Sequence, residues 1–299
     1  MNGMKQINLQ DYGLNRNFIT QSMEYHDLYL ARIISQEKNF YQAVCVNGVL
    51  FAEVSGKLRF EATIQSDFPT VGDFVMLDRC NNKNGNAIIH HVLHRKSLFV
   101  RKAAGKVNEE QVVAANIDIV FLCMSLNKDF NIHRLERYLS LTWESGAIPV
   151  VVLTKSDLCD NVYRKLQVVN SIALGVDVVV TSSIEPDGYK QISKYIKPGC
   201  TVALLGSSGV GKSSLINCLM GGEFLNTKEI RIDDDKGRHA TTRRELFLIS
   251  GGGIVIDTPG MRELGMWDVS EGLDKSFADI EAYFGKCHFR NCTHTSEPG

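Results

Sequence analysis

No apolar run in this chain approaches the about 20 residues that a bilayer-crossing helix requires. The opening segment, Met1 to Gln10, is polar and lacks the apolar centre of a secretory signal. These absences point away from a membrane-spanning or exported protein and make the cytoplasm the expected compartment. An excess of one charge is missing too: 33 Lys and Arg against 34 Asp and Glu leave a net charge of −1, so the whole chain is no polyanion binder. The eight cysteines show no disulfide framework, and Cys45, Cys123 and Cys200 sit in apolar, strand-like runs where a buried free thiol is expected. With 44% apolar and 22% charged residues over 299 positions, the composition is that of an ordinary globular protein with room for two domains and a small third module.

Charge is unevenly distributed. His90 to Lys106 carries Arg95, Lys96, Arg101, Lys102 and Lys106, three histidines and no acid. A solvated basic face and a contact for RNA both fit this stretch.

Residues 1–20 read as a loosely held leader. Five short strand-like runs follow: Leu28–Ile34, Phe40–Val46, Val49–Val54, Asp73–Leu77 and Ala87–Val92. Turn residues separate them, as at Asn47-Gly48 and Asn84-Gly85, and no amphipathic helix intervenes, which predicts a small barrel of the OB-fold type. Ala103 to Asn116 reads as a linker.

Beyond it the period changes. Apolar strands at Ile117–Cys123, Ile148–Leu153, Val176–Val180 and Thr201–Leu205 alternate with helical spacing at Ile132–Trp143, Val162–Ala173 and Tyr189–Ile196. That alternation predicts an α/β domain with a parallel sheet covered on both faces. Residues 223–244 are polar, as suits a mobile switch loop. Glu245–Ile249 and Ile254–Ile256, joined through Gly251-Gly252-Gly253, read as a hairpin closing the sheet. Leu273–Phe284 has helical spacing. The expected division is a barrel with its leader at 1–102, an α/β domain at 103–268 and a small tail module at 269–299.

Motifs fall at the C-terminal ends of the predicted strands, where ligands bind in such sheets. Gly206-Ser207-Ser208-Gly209-Val210-Gly211-Lys212-Ser213, with Ser214 behind it, matches a phosphate loop between a buried strand and a helix. Its glycines let backbone N–H groups curl around a β-phosphate at a helix N-terminus. Lys212 would reach the β- and γ-phosphates and Ser213 would bind Mg²⁺. Asp257-Thr258-Pro259-Gly260 follows a strand, with Asp257 suited to hold Mg²⁺ through water and the Gly260 amide suited to sense the γ-phosphate. Thr241-Thr242 lies in the polar switch, and Thr242 is the preferred hydroxyl to complete the Mg²⁺ shell. Thr154-Lys155-Ser156-Asp157 selects guanine, because the Asp157 carboxylate can accept from both N1–H and the 2-amino group, which adenine does not present. Lys155 would cover the base, Ser182 and Ser183 could offer a backbone N–H to O6, and Thr154 stands where Asn is more usual, which would weaken a tether to the phosphate loop. Met261 occupies the place of a water-orienting Gln, so His239 becomes the candidate for that role and slow intrinsic turnover is expected. Cys287-x4-Cys292-x-His294 offers two thiolates and an imidazole, a donor set that suits structural Zn²⁺.

The guanine motif precedes the phosphate loop, the reverse of the usual order. With the barrel, the Gly237-Arg238-His239 segment and the Cys/His tail, this order resembles the circularly permuted bacterial GTPase family RsgA, also called YjeQ or YloQ, over nearly the whole chain. The resemblance implies an OB-fold, a permuted GTPase domain and a zinc module. It also implies GTP hydrolysis to GDP stimulated by the 30S ribosomal subunit during late small-subunit maturation, contact with 16S rRNA, a catalytic role at His239 and a monomeric cytoplasmic protein. Two departures stand out: Ala240 replaces a Thr of the family's switch, and the sequence stops at Glu297-Pro298-Gly299, one residue before the family's fourth zinc ligand. Two rival readings use the same residues. One is an RNA-binding scaffold that keeps GTP or GDP as a structural ligand, and the other a GTPase regulating a non-ribosomal protein.

Overall fold

A computed structural model describes residues 6–37, 40–83, 85–102, 110–182, 184–185, 188–221, 244–249 and 251–257. From residue 6 onward the predicted leader is not loose. Helix α1 (Arg16–Ser22) is capped by Asn15, whose side chain accepts from the amides of Asn17 and Phe18. Leu9 and Phe18 are buried, and the Phe18 ring meets Phe74 at 4.2 Å between centroids, in a small core with Met76 and Leu93. Phe18, with Leu14 beside it, seats the segment on this small core, and Tyr12 packs against the larger one, contacts too scattered along the chain to show as a period.

Five strands close the barrel: β1 (Tyr29–Glu37), β2 (Phe40–Cys45), β3 (Gly48–Val54), β4 (Phe74–Leu77) and β5 (Ala87–Val92), with helix α2 (Gly56–Glu61) between β3 and β4. The order is β1-β2-β3-β5-β4, and β4 returns to pair with β1 from Tyr29↔Leu77 to Arg32↔Phe74. Only β3 and β5 run parallel in it. This is the OB-type arrangement expected from the sequence. Cys45 corrects the expectation of a free thiol. It is joined to Cys80, 35 residues away, because the end of β2 and the segment after β4 meet at one end of the barrel. Cys123 is buried and free as expected, and Cys200 is free but only half-buried.

The predicted linker is also partly structured. Strands β6 (Leu98–Lys102) and β7 (Glu110–Ala115) pair antiparallel, from Leu98↔Ala115 to Lys102↔Glu110. From there the chain enters the α/β sheet: β8 (Ile119–Ser125), α3 (Ile132–Ser145), β9 (Ile148–Thr154), α4 (Val162–Ile172), β10 (Asp177–Val180), the short α5 (Lys190–Ser193), β11 (Thr201–Leu205), α6 (Lys212–Met220), β12 (Arg244–Leu248) and β13 (Ile254–Asp257). The sheet order is β10-β9-β8-β11-β13-β12, parallel except for β12. Alternation on the strands divides the core. Val120, Leu122, Val151, Leu153, Ala203 and Leu205 pack with Leu135, Tyr138 and Leu139 of α3. Phe121, Val150, Val152, Val202, Leu204 and Val255 pack with Leu215, Ile216 and Leu219 of α6. A sheet buried on both faces explains the continuous apolar runs.

The barrel and the α/β sheet are one hydrogen-bonded surface. The far end of β1 pairs with β12 at Ser35↔Glu245 and Gln36↔Arg244, and the larger core cluster runs from Ala31 and Ile33 of the barrel to Ile254 and Ile256 of β13. At this seam Arg32 is 1% exposed. Its guanidinium donates to Gly72 O at 3.1 Å, Tyr12 O at 2.5 Å, Asn116 O at 3.4 Å and Thr201 Oγ1 at 3.0 Å. Burial pushes its pKa down to about 10 against the pull of Asp118 and Asp73, so the cation persists at neutral pH.

The basic stretch contributes less to the surface than its composition suggests. Arg95 grips the wholly buried Asp73 through Nε and Nη2, both at 2.7 Å, and Lys96 meets Asp118 at 2.5 Å. Lys106 and the side chains of Arg101 and Lys102 lie outside the described residues.

Replacing Arg32 by Met should destabilise the protein by about 3 kcal/mol, since it strands several buried acceptors at once. Urea unfolding followed by tryptophan fluorescence and far-UV circular dichroism would measure it. A change under about 0.5 kcal/mol would show the seam to be held by apolar packing instead.

Candidate guanine-nucleotide site

Strands β9, β10, β11 and β13 are parallel, so their C-terminal ends reach the same edge of the sheet. The two motifs separated in sequence therefore become neighbours. The phosphate-loop segment leaves β11 at Gly206. A Cβ there would stand 2.6 Å from the carbonyl oxygen of Cys123, so only glycine fits against β8. Gly209 and Gly211 have φ of +71° and +106°, and Gly211 is the left-handed cap from which α6 begins. These turns direct backbone amides to the helix N-terminus, a geometry suited to a phosphate. Lys212 is buried in the mouth of the loop, its ammonium donating to Gly206 O at 2.5 Å and Ser207 O at 2.6 Å. Ser208 is exposed, and Ser213 and Ser214 are half-buried in the first turn of α6. Beneath the loop, burial pushes the Cys123 thiol up to about 12, with Lys212 acting in the opposite direction.

The other motif begins where β9 ends. Lys155 adopts a left-handed conformation at φ +58°, uncommon for a side-chain-bearing residue, and this turns Ser156–Leu158 into a single 3-10 turn. Two side chains cross to the phosphate loop: Thr154 Oγ1 donates to Val210 O at 2.6 Å, and Lys155 Nζ donates to Gly209 O at 2.8 Å. The expected weakening from Thr in place of Asn is not seen in this geometry, because the buried hydroxyl sits on the strand end next to Val210 and reaches it directly. Ser182, wholly buried after β10, donates its hydroxyl to the Asp157 carboxylate and accepts from Ile184 N at 3.2 Å. That bond ties the exposed Asp157 to the loop that follows β10. Close packing forms the third loop: a Cβ on Gly188 would lie 2.0 Å from Ser182 O.

Asp257 closes β13, half-buried and opposite Glu245 of β12. Among the described residues the structure thus brings together Thr154, Lys155, Asp157, Ser182, Gly206 to Ser214 and Asp257. Ser183, His239, Thr242, Gly260, Cys287, Cys292 and His294 lie outside the described residues, as does the helix expected over Leu273–Phe284.

One residue was not foreseen from the sequence. Asp129, in the loop after β8, accepts from Ser207 Oγ at 2.6 Å and from Arg134 at 2.9 Å. Burial works to raise its pKa, but the bonds from Ser207 and Arg134, with nearby Lys155, prevail and hold the carboxyl below its ordinary range. A signal existed. β8 is a strand of the same parallel sheet, and Asn127-Lys128-Asp129 follows its C-terminal end.

The arrangement agrees with comparisons to known proteins. The family model described as RsgA GTPase matches residues 92–267. A Lactiplantibacillus plantarum protein named "Small ribosomal subunit biogenesis GTPase RsgA 2" is 45% identical over 293 residues, covering 98% of this chain and 82% of that one. A Methanosarcina acetivorans protein named "Small ribosomal subunit biogenesis GTPase RsgA" is 41% identical, covering 96% of this chain and 77% of that one. Among solved structures, YjeQ from Thermotoga maritima is similar with a TM-score of 0.60 at 27% identity, covering 91% of this chain and 88% of that one. YloQ, described as a circularly permuted GTPase, gives 0.56 at 26% identity, covering 92% and 86%.

Two substitutions probe the cradle. Gly206→Ala drives a methyl into a backbone carbonyl and should abolish detectable nucleotide binding. Thr154→Val removes one buried hydrogen bond and should weaken GTP and GDP binding by about tenfold, near 1.4 kcal/mol. Titration with fluorescent guanine nucleotides checks both, and unchanged affinity in either variant would contradict the roles derived from these contacts.

Proposed function

Because the chain belongs to the RsgA family of small-ribosomal-subunit biogenesis GTPases, we propose that Gly206 to Ser213 and Thr154 to Asp157 form its GTP site, and that hydrolysis there is stimulated by the 30S subunit late in subunit maturation. The protein is an enzyme that hydrolyses GTP to GDP and phosphate and works with Mg²⁺, as the family implies. The observation that most supports the assigned site is the pair of bonds from Thr154 and Lys155 to the phosphate loop, which fixes the distance between base reader and phosphate cradle.

In this reading Lys212 leaves the carbonyl oxygens of Gly206 and Ser207 and turns to the β- and γ-phosphates. The glycine-shaped amides and the first turn of α6, including Ser214, bind the same phosphates. Ser213, Thr242 and Asp257 would hold Mg²⁺, which supplies charge neutralisation at the β- and γ-oxygens. Gly260 senses the γ-phosphate. Asp157, bonded to Ser182, reads N1–H and the 2-amino group, Ser183 lies near O6, and Lys155 covers the base. His239 orients the attacking water in place of the Gln that Met261 displaces, once the small subunit orders the switch. Slow intrinsic turnover follows.

The partner is the small ribosomal subunit, and we assign the contact with 16S rRNA to the barrel and to Arg101, Lys102 and Lys106. Arg95 is omitted because it is bound to the buried Asp73, and Lys96 because its charge is already paired with Asp118 at the surface. Cys287, Cys292 and His294 are assigned to Zn²⁺, a choice resting on the donor set alone. We divide the chain into barrel (1–102), GTPase domain (103–268) and tail (269–299), with the β6–β7 hairpin as the joint, and expect a cytoplasmic monomer. A scaffold that only stores nucleotide is the competing reading, motivated by Met261.

Four measurements test this. Single-turnover hydrolysis should accelerate on adding 30S subunits, and a preparation that binds GTP but shows no acceleration would favour the scaffold. His239→Ala should lower the stimulated kcat by about 10²-fold or more while leaving nucleotide affinity within about twofold. An equal loss of both would refute the water-orienting role. Asp157→Asn should weaken GTP binding by about 30-fold, near 2 kcal/mol, and improve binding of xanthosine triphosphate, whose 2-oxo group accepts from the new amide. Elemental analysis should find one zinc per chain, lost in Cys292→Ser, and a zinc-free parent protein would remove that assignment.

A further inference from the structure

Asp129 is tied into the site more firmly than a loop acid needs to be. Its backbone amide donates to Asn127 Oδ1 at 2.9 Å, and that oxygen also accepts from Ser125 Oγ at 2.9 Å. Leu126 N donates to Thr154 O at 2.8 Å, joining this loop to the guanine-reading strand. From the other side Lys165 of α4 donates to Leu126 O at 2.6 Å, and its ammonium lies 5.1 Å from the Phe130 ring. Arg134, in the first turn of α3, is placed by Asn131, which caps the helix by accepting from Arg134 N at 3.0 Å. A single oxygen, Asp129 Oδ2, then takes both the Arg134 donor at 2.9 Å and the Ser207 hydroxyl at 2.6 Å.

The phosphate loop is therefore held at three points by the part of the domain that precedes it: Ser207 by Asp129, Gly209 by Lys155 and Val210 by Thr154. Ser207 is special among them because Lys212 also grips its carbonyl. If Lys212 turns to the phosphates on nucleotide binding, that grip is lost. The Asp129 bond is then what keeps Ser207 in place. A charge-assisted bond of this length is among the stronger single contacts available to a loop.

We propose that Asp129 is a positioning residue that acts through Ser207 to hold the leading shoulder of the phosphate loop in its nucleotide-binding shape. Asp129 touches neither the nucleotide nor the attacking water, so its effect falls on nucleotide retention and leaves the chemical step alone. Oriented by Arg134, the carboxylate acts as a hydrogen-bond acceptor, and a neutral acceptor of the same shape should replace most of it.

This inference rests on reading Gly206 to Ser213 as the phosphate loop, and the test separates the two. Stopped-flow binding and displacement of fluorescent GTP and GDP would be measured on the full chain for Asp129→Ala, Asp129→Asn, Ser207→Ala, the Asp129→Ala/Ser207→Ala double variant and Lys212→Ala. Asp129→Ala and Ser207→Ala should each raise Kd roughly tenfold to thirtyfold, mainly through faster dissociation. The double variant should be no worse than either single one. Asp129→Asn should recover most of the loss, and kcat at saturating GTP with 30S subunits should stay within about twofold in Asp129→Ala and Asp129→Asn. The nucleotide-free melting temperature monitors folding, and a drop in it equal to the drop with nucleotide bound would mark a merely structural role and overturn the proposal. Additive losses in the double variant, or wild-type Kd in Ser207→Ala, would overturn it as well. Should Lys212→Ala also bind GTP normally, the phosphate-loop reading itself fails; if Lys212→Ala abolishes binding while the Asp129 and Ser207 variants are normal, only this inference does.

Discussion

Arg32 stands where the leader, the barrel, the Asn116 joint and the strand that feeds the phosphate loop converge, and burial leaves its charge almost no water. A guanidinium in that position must be met by fixed acceptors, since an unsatisfied buried cation costs several kcal/mol. Each acceptor belongs to a different part of the chain, so keeping the cation satisfied fixes those parts relative to one another. Asn116, in a left-handed turn at φ +57°, belongs to the same knot: its side chain takes Lys96 N and gives to Gly72 O. Thr201, at the start of β11, is bonded to Arg32 by its hydroxyl and to Asp118 through its amide. The phosphate loop at the far end of that five-residue strand is thus anchored to the barrel through the strand itself.

The permuted order acquires a mechanical sense in this frame. The chain leaves the barrel, passes the β6–β7 hairpin and enters the sheet at β8, so the elements nearest the barrel in sequence are those that carry Asp129, Thr154 and Lys155. They grip the phosphate loop from one side. On the other side β12 pairs with β1 of the barrel and with β13, which ends at Asp257. Beside the Arg32–Thr201 contact, the barrel is therefore linked to the site by chain connection and by a shared strand edge. In the functional reading above, nucleotide state and subunit contact are coupled along these two routes.

Much of this was legible in the sequence, and each part for a physical reason. Strands buried on both faces read as unbroken apolar runs, which made β8, β9 and β11 visible. Positions that tolerate a single residue type were equally visible: Gly206 is excluded from bearing a side chain by Cys123 O, and Gly211 by its left-handed φ. What stayed hidden depends on distant partners. Arg95 looked like part of a basic surface, and Lys96 like an unpaired surface charge, because their acids, Asp73 and Asp118, lie 22 residues away in both cases. Cys45 looked like a lone core thiol because Cys80 approaches it only when the barrel closes. Phe18 looked like a leader residue because its burial comes from Phe74, Met76 and Leu93, which follow it by more than 50 positions.

The division between the two levels follows the range of the forces involved. Local chemistry determined the ligand class and the order of the parts, since a phosphate cradle needs glycines beside a lysine and a guanine reader needs a carboxylate, whatever surrounds them. Strand alternation and turn residues determined that a barrel precedes a parallel sheet. Tertiary structure alone decided which side chains hold those parts at working distance. Thr154 reaches Val210 across 56 residues of chain and Arg32 reaches Thr201 across 169, and neither spacing leaves any periodic trace. Hydrogen bonds of that kind are made by strand adjacency in the folded sheet, which no local pattern encodes.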